Sequence, residues 1–379
     1  MKVFGRTTVS EILQDRIVFR NLSPLDDELP ALDVIGKEIG LAKGYIPRKS
    51  NIDYARVIVK LLKHVQNLDA PNFEIDNLIL VGDTLLNDVK AFGNICQVSG
   101  WSGKAFIGSE NMDEPLKIEI DMTDTGEELY LANRWSSLCA FDRYCVESNM
   151  EIGSGTAVVI DLDKTVLGAR GRNSHVIDQV RIQAVHNTVK RMLGQSFDKN
   201  VFSDIYEHFN SVKFHSFTSD NQDYLAYICL VICSGLLSKN QLENDIKSGD
   251  LQSFLQFIAI VEAQKHDLMP DLVSIHADIY DRVQLSDPTP FKSFRRNEYL
   301  STIEFMGKST NPASAKEILL NEIAVTEEVR DMALVWKERG AILFGLSDKP
   351  DEASIPSTEL ARQGYVPIHQ VEAWSVGGV

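Results

Sequence analysis

The sequence predicts an α/β protein: a parallel sheet whose strands end in acidic and hydroxyl residues, interrupted by a long helical insertion. Three observations carry this. Val158-Val159-Ile160 is a β-branched run that stops abruptly at Asp161-Leu162-Asp163-Lys164-Thr165. Two other short apolar runs, Leu78-Ile79-Leu80-Val81 and Ala341-Ile342-Leu343-Phe344-Gly345-Leu346, stop at Gly82-Asp83 and Ser347-Asp348. From residue 166 to about 335 the pattern is almost wholly helical. Continuous apolar runs belong to strands buried on both faces. Open α/β sheets gather their chemistry just beyond the carboxyl ends of such strands.

The elements follow in order. Residues 8–40 mix a short helical pattern, a strand-like Arg16-Ile17-Val18-Phe19 and an acidic, Pro-containing loop. Over 50–67, Ile52, Ala55, Ile58, Val59, Leu62 and Val65 share one helical face, with Ser50 or Asn51 as the cap. The 78–81 strand follows a turn at Pro71 and leads through Gly82-Asp83-Thr84-Leu85-Leu86-Asn87-Asp88 into a helix from Val89. Ala105–Gly108 reads as a further strand, and Leu116–Met122 alternates like a half-exposed one. A helix is expected over 127–150, before the Gly153-Ser154-Gly155 turn and the 157–161 strand. Helical patterns then occupy 176–193, 201–212, 221–237, 240–262 and 315–335, and the 341–346 strand returns after Gly340. The expected organisation is a core formed by 1–165 and 336–379 around a helical insertion at 166–335.

Composition narrows the function. A net charge of −16 over 379 residues argues against nucleic acid or an anionic membrane as the main partner. It permits a phosphorylated substrate where a metal and a few Lys or Arg residues reverse the local sign. Five cysteines, an odd number, make no disulfide framework, and Cys229 and Cys233 read as core thiols. The apolar run Leu225–Leu237 is too short to span a bilayer, and Met1–Arg6 carries no apolar signal segment, so a cytoplasmic protein is expected. Glu322, Glu327 and Glu328 read as a solvated helix face, and His175, His186 and His215 as structural. Nothing in the sequence sets the oligomeric state.

Asp161 and Asp163 carry the chemistry. One carboxylate can attack phosphorus. The other can protonate the leaving oxygen and later deprotonate water. Two carboxylates this close need a cation, and Mg²⁺, which prefers oxygen ligands, fits. Arg170 and Arg172 flank Gly171 and could clamp a second phosphate or a carboxylate, or form a basic hinge.

Asp161-Leu162-Asp163-Lys164-Thr165 resembles the D-x-D-x-T motif of the haloacid dehalogenase (HAD) superfamily of phosphohydrolases, whose fold is a Rossmann-like core with a cap domain. Ser347-Asp348-Lys349-Pro350 is similar to that family's second motif, and Gly82-Asp83 with Asp88 to its fourth. Lys49, opening the 50–67 helix, is the better match to the third-motif lysine, with Lys43 as the fallback. The order here is three, four, one, cap, two, which implies a circular permutation. The two chain ends should then lie near each other, since permutation requires adjacent termini. The family's sheet order puts the 157–161 strand between the 78–81 and 341–346 strands. The strand beyond the last of these would come from Ile17–Phe19 or from Tyr365–Ile368.

The resemblance implies Asp161 as nucleophile, Asp163 as general acid and base, and Ser347 and Lys49 as phosphoryl contacts. It implies Mg²⁺ on Asp161, Asp83, Asp88 and the backbone carbonyl of Asp163. Thr165, Arg170 and Arg172 fall to substrate binding. Asp163 also separates phosphatase-like members from true dehalogenases. The expected activity is Mg²⁺-dependent hydrolysis of a small phosphorylated metabolite. A phosphotransferase or mutase, or a non-catalytic binding module on the same scaffold, are the alternatives.

Overall fold

The structure, a computed structural model, describes residues 1–193, 198–219, 221–311 and 314–378. It divides into two compact units: Met1–Gln179 with Thr302–Val379, and Val180–Ser301.

In chain order the first unit begins with β1 (Lys2–Thr7), α1 (Ser10–Leu13), β2 (Ile17–Val18), α2 (Leu32–Ile39) and α3 (Ile52–Asp69). It continues with β3 (Asn77–Gly82), α4 (Asp88–Ser99), β4 (Ser102–Gly108), β5 (Ile118–Met122), β6 (Glu128–Ala132), α5 (Leu138–Glu147) and β7 (Thr156–Asp161). Helix α6 (Ser174–Leu193) leads into the second unit, which holds α7 (Lys199–Phe209), α8 (His215–Thr218), α9 (Gln222–Cys233), α10 (Lys239–Ser248), α11 (Phe254–Ala263), α12 (Pro270–Gln284) and most of α13 (Lys292–Glu304). The first unit resumes with α14 (Ala315–Asn321), β8 (Val325–Thr326), α15 (Glu327–Glu338), β9 (Ile342–Leu346), α16 (Thr358–Arg362) and β10 (Ala373–Gly377).

The main sheet runs β2-β9-β7-β3-β4-β6-β5, parallel except for β5. The strand order around β7 is therefore the expected one. Every residue of β7 and β9 is buried, as a β-branched run covered on both faces should be. Ile17–Val18 pairs beside β9, whereas Ile368 opens a short 3₁₀ turn, so the first of the two candidate segments supplies that strand. β1 and β10 pair antiparallel, with Lys2 opposite Gly377, in a small second sheet with β8. The chain ends are thus neighbours, though neither of these strands stood out in the sequence. Helix α3 opens where expected. Asn51 holds an extended backbone at its N-terminus, and its side chain accepts the Arg48 N–H at 2.8 Å. The helix buries Ala55, Ile58, Leu62 and Val65 in the sheet core.

Several expectations are corrected. The helix placed at 127–150 is instead β6, a 3₁₀ turn at Trp135–Ser137, and α5. Leu129 packs into one layer while Tyr130 meets the rings of Phe106, Phe141 and Tyr144 in the other. Apolar residues on both faces of a strand mimic helical spacing. The 240–262 helix is two, α10 and α11, because Gly249 adopts a left-handed φ of 82° and Ser253 caps the next helix through the Gln256 N–H. The 315–335 helix is interrupted by β8. The strand at Leu116–Met122 is exposed along its whole length.

The compact helical unit is also narrower than 166–335. Residues 166–179 and 302–335 belong with the sheet. Asn173 donates to Leu319 O and Glu322 O and accepts from Ala324 N, and β8 pairs with β10. The helical unit has its own core, built on Phe202, Phe209, Tyr227, Cys229, Phe257 and Phe294. Cys229 is buried there and Cys233 packs against it, as core thiols should. Among the described residues, no helix is long and apolar enough to cross a membrane.

Candidate active site

The site is built at the carboxyl ends of β3, β7 and β9. Val81 pairs with Ile160 and Leu346 with Asp161, so Asp83, Asp161 and Ser347 emerge from the sheet at one edge. Asp161 is the last residue of β7 and is buried.

Lys49, in the loop before α3, reaches in from the neighbouring layer. Its Nζ donates to Asp161 Oδ1 at 2.7 Å and to Asp88 Oδ1 at 2.5 Å. Lys43 is exposed, and Lys49 is the one of the two that reaches the carboxylates. Asp88 opens α4 and turns back on the strand end. Its Oδ2 accepts the N–H groups of Asp83 and Thr84, at 3.1 and 2.8 Å, and the Thr84 hydroxyl at 2.8 Å. This fold-back requires Gly82: a Cβ there would lie 2.8 Å from the Asp88 carboxyl carbon. Arg170 donates through Nε to Asp83 Oδ2 at 2.5 Å.

The electrostatics are unbalanced. Asp83, Asp88 and Asp161 are all buried and offer oxygens within 4.8 Å of one another. Burial works against a charged Lys49, but Asp161 and Asp88 outweigh it and hold the ammonium well above the usual lysine range. Burial would also raise Asp88, yet Lys49 and the Thr84 bonds hold it below its ordinary value. One lysine cannot serve all three. Burial, reinforced by Asp88, pushes Asp83 up to about 7 against the pull of Arg170. Burial likewise carries Asp161 well above the carboxylate range despite Lys49. Three hard oxygen donors short of positive charge match what a divalent cation needs. The donor set therefore fits a metal ion.

The remaining expected residues divide. Asp163 is half-buried, and its charge is felt at Asp83, but its carboxylate is not in the close metal-holding group. Lys164 beside it adopts φ 65°, an unusual conformation for a side-chain-bearing residue, and its Nζ pairs with Asp178 at 3.0 Å. Thr165 is fully buried, and its Oγ1 has no hydrogen-bond partner among the described residues. Ser347 is buried, and its Oγ accepts the Lys349 N–H at 3.2 Å.

Arg172 is not brought to the site. Its buried guanidinium is taken by Glu110 at 3.0 Å and by both oxygens of Glu328 at 2.8 Å. The expected clamp thus reduces to Arg170. Nor do the three glutamates form a solvated face. Glu322 is buried, accepting from Lys308 N, Ser309 N and the Ser309 hydroxyl, and Glu327 is buried against Ser375.

Sequence reasoning missed three supporting residues. Thr84 orients Asp88, and a hydroxyl directly after Gly-Asp was the available signal. Tyr54, buried in the first turn of α3, lies close enough to Lys49 for their charges to interact. Asp348, next to Ser347, is held by Arg48 at 2.9 Å and by Arg20 at 3.6 Å. These ion pairs span some 300 residues of sequence and left no local trace. Compared with known protein families, curated proteins and solved structures, the chain matches none.

Proposed function

We propose that the protein is a Mg²⁺-dependent phosphohydrolase of the haloacid dehalogenase type, with a circularly permuted core and a helical cap, acting on a small phosphorylated metabolite. One observation carries the reading. Lys49 bridges Asp161, at the end of β7, and Asp88, at the start of the helix after the adjacent β3, with Asp83 beside them. The cyclic order of these pieces and of Ser347, and the position of β7 between β3 and β9, support it.

In this mechanism Asp161 attacks the phosphorus of a bound monoester. The ester P–O bond breaks, and Asp163 donates a proton to the departing oxygen. The product is an alcohol and an aspartyl-phosphate. Asp163, now a base, takes a proton from water, whose oxygen attacks the same phosphorus. The acyl–phosphate bond breaks, and inorganic phosphate and free Asp161 result. Lys49 and Ser347 meet the charge on the transferring group. Asp83, Asp88 and Asp161 would hold a divalent cation, which would supply the missing positive charge and Lewis acidity toward the phosphoryl group. Arg170 holds Asp83 in place and presents its half-exposed guanidinium toward an anionic substrate.

The test is hydrolysis of p-nitrophenyl phosphate with Mg²⁺, by wild type and by Asp161→Asn. Turnover abolished by EDTA and by the substitution sustains the reading. An inert wild type, across a panel of phosphate esters, defeats it.

A further inference from the structure

The main sheet ends at β5, whose outer edge is open. Asn133 N donates to Lys117 O at 3.2 Å and Thr123 N to Glu127 O at 2.8 Å. Odd-numbered residues therefore bond to β6, because backbone groups alternate along a strand. The N–H and C=O groups of Ile118 and Ile120 face outward, as do those of Met122, whose N–H is taken by Asp121 Oδ1 at 2.9 Å. The side chains of the same three residues, with Leu116, form a stripe on one face, exposed by 61% at Leu116, 40% at Ile118, 47% at Ile120 and 52% at Met122. Lys117, Glu119 and Asp121 alternate onto the other face. An edge with free backbone groups and an apolar stripe is a template for strand addition.

We propose that β5 is a homodimer interface: two copies pair their β5 edges antiparallel about a two-fold axis at Glu119. Charge and the apolar stripe together select the partner and the register. In this alignment Lys117 lies opposite Asp121 of the second copy, twice, and Ile118 opposite Ile120, twice. Leu116 meets Met122 at each end, so the two apolar stripes lie side by side and shield each other along their whole length. Glu119 faces its own copy, but each carries its own Lys117 ammonium at 2.8 Å. Moving the axis to Ile120 sets Glu119 against Asp121 twice, which is repulsive. Moving it to Ile118 pushes Met122 beyond the strand, opposite Glu114. The outward groups of Ile118 and Ile120 exchange hydrogen bonds only when even residues face even residues, which the Glu119 axis satisfies. The pairing would extend the sheet from seven strands to a continuous fourteen across the dimer.

The experiment combines light scattering after size exclusion with disulfide trapping on the full chain. Cys139 is exposed, so the trapping background is Cys139→Ser. Residues facing each other across the axis are within disulfide reach. Wild type should be a dimer, and Glu119→Cys should crosslink under mild oxidation. Ile120→Lys should yield monomer with an unchanged circular dichroism spectrum. Lys117→Asp should weaken the dimer, and adding Asp121→Lys should restore it. A monomeric wild type at all concentrations overturns the proposal. So does a dimer that survives Ile120→Lys, or one that crosslinks through Ile120→Cys and not through Glu119→Cys.

Discussion

Each unit buries a cluster of ionisable side chains, and the two clusters are built on opposite principles. In the helical unit Arg295 is fully buried, with its guanidinium 2.6 Å from Asp223 and 2.6 Å from Glu298. Arg181 adds a second contact to Glu298 at 3.4 Å, and the Phe291 N–H bonds Asp223 at 3.0 Å. Two guanidinium groups face two carboxylates. In the sheet unit, Lys49 and Arg170 face Asp83, Asp88 and Asp161, with the charge of Asp163 close by. Among the described contacts the first cluster is balanced in charge. The second is short of positive charge, and burial, reinforced by the neighbouring carboxylates, raises the carboxyl groups of Asp83 and Asp161. Burial alone does not mark a functional site; burial with uncompensated charge does.

The sharpest break of this contrast is Asp161→Asn. Phosphatase activity should fall by roughly 10⁴-fold or more, the scale on which losing a nucleophile acts. The metal-free protein should melt no lower than wild type, because the change removes one surplus negative charge. Activity assays and calorimetry on the same sample check both halves. Arg295→Met should do the reverse. It should cost about 3–5 kcal/mol of stability, since Asp223 and Glu298 remain buried without their partner. Equal destabilisation by the two variants would erase the distinction.

Acidity sharpens the contrast further. The Asp83 carboxyl is raised to about 7 in the fold. It therefore contributes stability that is complete below its unfolded value of about 3.9 and is lost as pH rises through the folded value. Metal-free protein should lose melting temperature across that window. Mg²⁺ should restore it near about pH 8 and do little near about pH 5, where the ligands hold protons. A Mg²⁺ shift of the same size at both would sink this account. Gly82→Ala comes next, costing about 1–3 kcal/mol and eliminating the Mg²⁺-dependent shift, because Asp88 is displaced. Thr165→Val is the smallest. Removing a buried hydroxyl that lacks a partner should change stability by about 1 kcal/mol or less. A large loss of activity with flat stability would place that hydroxyl on the substrate.

How much of this was legible follows from range. The strands carrying Asp83, Asp161 and Ser347 announced themselves because each is a continuous apolar run ending in a polar residue. Lys49 stood at a readable helix start. Arg172 could not be assigned from sequence, because its partners Glu110 and Glu328 lie 62 and 156 residues away. The same holds for Glu322, whose backbone donors come from a loop 13 and 14 residues earlier. β6 was hidden by burying both faces, and β1, β8 and β10 by shortness or by pairing with distant segments. Local pattern reports what a strand or helix needs; it is silent on which distant charge answers a given side chain.

The pairing of β2 with β9 bears on how the chain is made. A ribosome delivers the N-terminal end first. Lys49, Asp83, Asp88 and Asp161 all exist before residue 162, and β3, β4, β6 and β7 can align as soon as they emerge. β2 and β1 must wait for residues 342–346 and 373–377. During synthesis the acidic pocket forms early, with the neighbouring edge of its sheet bare. For roughly half of its synthesis, from residue 162 to residue 346, the nascent protein carries the three carboxylates that could hold a cation, yet lacks the β9 strand that delivers Ser347.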